Sequence, residues 1–231
     1  MSVKDKEFLY SIFRKEIKDR KIPLSLGKTC PVKCTFCYEM DHSYRDTFDV
    51  PLTTQEHWDF IFNEIKSLPT RESEFWVLGG NEYMEWTDLA LHPKAMDWIE
   101  EFLDQTDKGI TVFSVGYFDP LRINRLADKY PGRINFELSV ISLSSYRQQL
   151  MPKGPSVNQV LEILDGPAVT SANFYSFGPE SMSKDAKRIS EINKKCLLWM
   201  GCLTPLKLSL IHISEPTRPE RIGGGGVWGR K

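Results

Sequence analysis

Three of the chain's five cysteines fall within eight positions, in the run CPVKCTFC from Cys30 to Cys37, with the spacing C-x3-C-x2-C. Thiolates bind zinc and iron, and spacings this short let three sulfurs on one loop converge on a single centre. A closed zinc site takes a fourth Cys or His. His42 and His57 are at hand but sit at no finger-like spacing, while Cys196 and Cys202 lie more than 150 residues away. The bare residues leave three readings open. One is a non-catalytic zinc module of Cys30, Cys34, Cys37 and His42; another is an electron-transfer iron–sulfur protein; the third is a cluster whose remaining iron is reserved for a small molecule.

The chemistry of the compartment bears on this choice. Formal net charge is −1, with 41% hydrophobic and 26% charged residues, so no basic field points to nucleic acid. No apolar run approaches the roughly 20 residues of a membrane span, and the charged N-terminus lacks a signal-peptide core. A cytoplasmic, reducing location is expected, where clustered cysteines act as ligands rather than as disulfide partners.

CPVKCTFC resembles the signature of the radical S-adenosylmethionine (radical SAM) enzymes, C-x3-C-x-aromatic-C, with Phe36 as the aromatic. The resemblance implies a [4Fe-4S] cluster on Cys30, Cys34 and Cys37, its fourth iron chelated by the amino and carboxylate groups of S-adenosyl-L-methionine. It further implies that the run VLGGNEY brings the backbone of Gly79 and Gly80, and Asn81 or Glu82, to the methionine amino group. The carboxylate of the family's Gly-Gly-Glu is displaced there by one place or replaced by Asn81. By the same resemblance Ser142, with Ser139 as its rival, meets the ribose, Arg147 meets the methionine carboxylate, and Phe36 and Tyr38 pack beside the adenine. The implied activity is reductive cleavage of S-adenosylmethionine to a 5′-deoxyadenosyl radical that takes hydrogen from an unidentified small molecule, peptide or RNA. An electron donor such as flavodoxin or ferredoxin is implied with it. Other residues of interest read more simply. Tyr117 suits packing at the barrel mouth, His42 a solvated loop, Cys196 and Cys202 one face of a strand, and Trp58, Trp76, Trp98 and Trp199 the core.

The elements that must position these residues alternate along the chain. Helical periodicity marks 8–20, 53–68 (with a Thr53–Glu56 capping box), 92–105 (with Pro93 in its first turn), 120–130, 145–150, 156–165 and 183–195. Strand-like runs occupy 23–27, 73–80, 109–118, 133–142, 168–178 and 196–204. Six strands with intervening helices predict an α/β fold, a partial parallel (β/α)6 barrel of TIM type, with its chemistry on loops at the carboxyl-terminal strand ends. The cysteine loop follows the first strand and so belongs to that face. Residues 208–218, LSLIHISEPTR, resemble the translation of a sequencing adapter, followed by Gly223–Gly226. The reading is therefore one core domain over 1–207, cut short at its carboxyl end, and a non-native, disordered tail over 208–231.

Overall fold

The computed structural model describes residues 3–27, 32, 34–35, 51–69, 74–79, 88–176, 179–192 and 196–202. Six parallel strands form one open sheet in chain order: β1 (Lys21–Ile22), β2 (Phe75–Leu78), β3 (Gly109–Ser114), β4 (Ile134–Ile141), β5 (Val169–Ser176) and β6 (Leu197–Cys202). Helix α1 (Val3–Lys18) precedes β1. The crossovers carry α2 (Gln55–Ser67), α3 (Ala95–Gln105), α4 (Pro120–Lys129), α5 (Tyr146–Leu150) with α6 (Val157–Leu164), and α7 (Pro179–Ile192). This is the mixed α/β, barrel-like arrangement that the alternation predicts, with the sheet not closed. No helix among the described residues is long and apolar enough to cross a membrane.

Strand alternation decides which side chains meet the helices. Trp76 and Leu78 of β2, Ile110 and Val112 of β3, Phe136 and Leu138 of β4, and Ala172 and Phe174 of β5 enter one continuous apolar core with the helices' inner faces. Trp58, Trp76 and Trp98 are all core residues, as expected. Trp58 stacks on Trp98 at 5.2 Å, its indole N–H donates to Glu101, and that of Trp98 donates to Gln55, which fixes α2 against α3.

Several boundaries differ from the sequence expectation, each for a local reason. β1 is limited to Lys21–Ile22, and 23–26 continue buried but outside the ladder. The capping box of α2 is Thr54 with His57 rather than Thr53 with Glu56. Thr53 is already committed, since its Oγ1 accepts from the Ser25 N–H at 2.8 Å and its own N–H donates to the Ser25 carbonyl. Glu56 pairs instead with Lys6. Helix α3 starts at Ala95, so Pro93 precedes it; a 3-10 turn at Leu89–Leu91 comes first, and the imidazole of His92 accepts from the Lys94 N–H. At the amino-terminal strand ends the buried Glu74 meets Arg20 and Lys108, a staple that belongs to stability rather than chemistry.

Candidate functional site

The loop after β1 reaches across the sheet to the exits of β3 and β4. Val32 is buried with Ile141 and Met151, and Cys34, Leu91, Val115, Tyr117 and Leu150 pack around them. The Thr35 N–H donates to the Leu150 carbonyl at 2.8 Å, which ties the loop to the end of α5. Half-buried Cys34 thus lies on the carboxyl-terminal face, where barrel chemistry is done. Cys30, Cys37, Phe36, Tyr38 and His42 lie outside the described residues.

The β4 exit is built on a broken ladder. Ser139 pairs with Asn173 and Ile141 with Phe174, so Val140 is an extra residue on β4 and the strand bulges there. Ile141 takes φ +67°, a left-handed conformation that β-branched residues rarely adopt and that clusters at functional sites. The bulge frees carbonyls from the sheet, and Arg147 collects them. Its Nε–H donates to Pro155 O at 2.9 Å, one terminal nitrogen to Val140 O and, at 3.4 Å, to Ser139 O, and the other to Val115 O at 2.6 Å. Burial pushes the guanidinium pKa down to about 10, against the pull of the nearby Cys34, Tyr117 and Asp88. The expected partner of Arg147 was a ligand carboxylate; in this structure it holds the two strand exits together.

Ser142 is likewise engaged. Its hydroxyl is fully buried and donates at 2.7 Å to Asp185 of α7, whose same oxygen accepts from the Leu143 N–H at 3.1 Å. Ser139 is half-buried on the opposite face of β4 from Leu138. Gly79 follows β2 and donates its N–H to Ile22 O at 2.9 Å. Its φ is +73°, and an added Cβ would lie 2.3 Å from Leu89 Cδ1, so the backbone here requires glycine. Gly80, Asn81 and Glu82 lie outside the described residues.

Asp88, ahead of the 3-10 turn, is anchored at the exit of β3. Its carboxylate accepts from the Ser114 hydroxyl at 2.8 Å, the Val115 N–H at 2.7 Å and the Ala90 N–H at 3.0 Å. Burial raises its pKa to about 6, the three hydrogen bonds and Arg147 opposing that rise. Sequence reasoning missed both Asp88 and Asp185. Asp88 precedes LAL as a helix cap would, a legible signal; Asp185 sits inside a polar helix and offers none.

Tyr117 donates its hydroxyl to the Lys153 carbonyl and packs at the rim, as expected. His57 and His92 have lowered pKa values through burial and serve as structural hydrogen-bonding groups. Cys196, its thiol pKa raised by burial, precedes the first residue of β6, whereas Cys202 is its last. At about 3.3 Å per residue the two backbones stand roughly 20 Å apart, too far to share a centre. The side chains of Trp199 and Cys202, and all of 203–231, lie outside the described residues. Among the described residues no three His, Cys, Asp or Glu side chains converge as a metal site.

No protein-family model matches this chain, and no curated protein matches it.

Proposed function

We propose that this protein is a radical S-adenosylmethionine enzyme whose Cys30, Cys34 and Cys37 hold a [4Fe-4S] cluster open to that co-substrate. The observation that carries the reading is the seat of Cys34. The middle cysteine of CPVKCTFC packs, as Val115 and Tyr117 do, against the Val32, Ile141 and Met151 cluster at the carboxyl ends of parallel strands. The donor set fits the group, because three thiolates on one short loop suit a cubane that leaves one iron without a protein ligand. When bound, cluster and co-substrate supply one-electron reductive cleavage and a carbon radical able to abstract hydrogen.

The chain's own residues do the positioning. Val32, buried with Ile141 and Met151, and Thr35, bonded to Leu150, anchor the loop on both sides of Cys34. The guanidinium of Arg147 places positive charge near Cys34, on the side where a cluster would bring negative charge. Gly79 lets the chain turn tightly at the end of β2, and Asp88 returns it to β3. An electron donor of flavodoxin or ferredoxin type belongs to this proposal, as does a substrate still to be identified.

Anaerobic reconstitution with iron and sulfide tests it. About four irons with sulfide per chain are expected, with an electron paramagnetic resonance signal that shifts on adding S-adenosylmethionine. Cys34→Ala is expected to abolish both the cluster and the cleavage of S-adenosylmethionine. One tightly bound zinc, or a cluster indifferent to S-adenosylmethionine, overturns the reading.

A further inference from the structure

The sheet face turned away from the helices carries unsatisfied polarity at one level. Barrel interiors are ordinarily filled by layers of branched apolar side chains. Here that face presents Thr111 on β3, Asn135, Glu137 and Ser139 on β4, and Ser171 and Asn173 on β5, since their neighbours Val112, Phe136, Leu138 and Ala172 enter the helix-side core. Toward the strand starts the polar groups satisfy one another. Asn135 donates to Thr111, and Thr170 donates to Asn135. One level further along, Glu137 and Ser171 are register partners on adjacent strands and point to the same side. Ser171 is 4% exposed, and its Oγ makes no hydrogen bond of acceptable geometry. Burial raises the pKa of Glu137; among the described residues only the Ser171 hydroxyl, as a hydrogen-bonding neighbour, opposes the rise, and no lysine or arginine does. A carboxylate without a counter-charge, beside a buried hydroxyl whose oxygen accepts no hydrogen bond, would be completed by a ligand that supplies donors.

We propose that Glu137 and Ser171 form a binding site for a protonated amine on a small substrate, the carboxylate accepting one ammonium N–H and Ser171 Oγ accepting another. An ammonium fits because it brings three rotatable donors and the missing positive charge. The site is carried by strand residues alone and stands independently of the cysteine loop.

The test uses the metal-free full chain, with cadaverine as the cationic probe and 1,5-pentanediol as its neutral match, read by saturation-transfer NMR and equilibrium titration. Cadaverine is expected to bind, and the diol about ten- to hundredfold more weakly, the range of a charge-assisted hydrogen bond. Glu137→Gln, close in shape, is expected to weaken cadaverine by a similar factor, and Ser171→Ala by less. Equal binding of the two probes, no cadaverine binding at millimolar concentration, or undiminished binding by Glu137→Gln overturns the proposal. The wild-type comparison decides the matter even where a variant folds poorly. Failure here leaves cluster assembly untouched, so the two proposals fall separately.

Discussion

Replacing Arg147 by methionine separates a scaffold role from a ligand role. Its guanidinium bonds the carbonyls of Pro155, Val140 and Val115 and, at greater length, Ser139. Val140 O keeps a second donor, the Ser142 N–H at 2.8 Å, so the variant chiefly strands Pro155 O and Val115 O. Leaving a buried acceptor unmet costs about 1–3 kcal/mol, so two of them cost about 2–6 kcal/mol. Relief of the buried charge offsets part of this, which leaves about 3 kcal/mol net. For a domain of this size about 3 kcal/mol corresponds to a Tm lowered by roughly 6–12 °C. Urea unfolding followed by far-ultraviolet circular dichroism gives the free energy directly, with the slope m as a check that the two-state comparison holds. Arg147→Lys keeps the charge but not the planar fork, and should fall between the two. A methionine variant within about 1 kcal/mol of wild type refutes the reasoning. Loss of S-adenosylmethionine binding at full stability would then return Arg147 to the carboxylate contact that the resemblance implies.

Three further outcomes follow from the same rim. Asp88, its folded pKa raised to about 6 from an ordinary 3.8, holds its proton more tightly folded than unfolded. Its contribution to stability therefore grows as pH falls through 6 and is complete below 3.8, up to about 3 kcal/mol; carboxyl NMR should place the midpoint near 6, and the unfolding free energy of Asp88→Asn should lose that pH dependence. Gly79→Ala forces a side chain into a left-handed backbone and against Leu89, with an expected loss of about 1–3 kcal/mol in chemical denaturation. Asp185→Ala removes the shared acceptor of Ser142 and Leu143 and should cost more than Ser142→Ala, about 2–4 against about 1–2 kcal/mol, measured by the same unfolding curves.

The order of the sheet was legible because parallel neighbours need helical crossovers, and the apolar periods of α2 and β4 announce themselves in any window. The details that failed share one cause. Thr53 has the right type and spacing for a cap, but a hydrogen bond to Ser25, 28 residues away, consumes it. Arg147 lies in a short polar helix and reads as solvated or ligand-bound; its burial depends on the Val140 bulge, which no periodicity reveals. Glu137 hid in plain alternation, since Phe136, Leu138 and Val140 already accounted for the strand. Beyond the local cap to Ala90, the partners of Asp88 and Asp185 stand 26 to 43 positions away, out of reach of any local pattern.

The end of β2 and the turn before α3 are each pinned to a different neighbouring strand. Gly79 is held to Ile22 on one side, and Asp88 to Ser114 and Val115 on the other. These bonds run to two separate strands, so loosening one leaves the other in place. The carboxyl-terminal rim is therefore braced twice, and a substitution at either residue is felt first by its own strand neighbour.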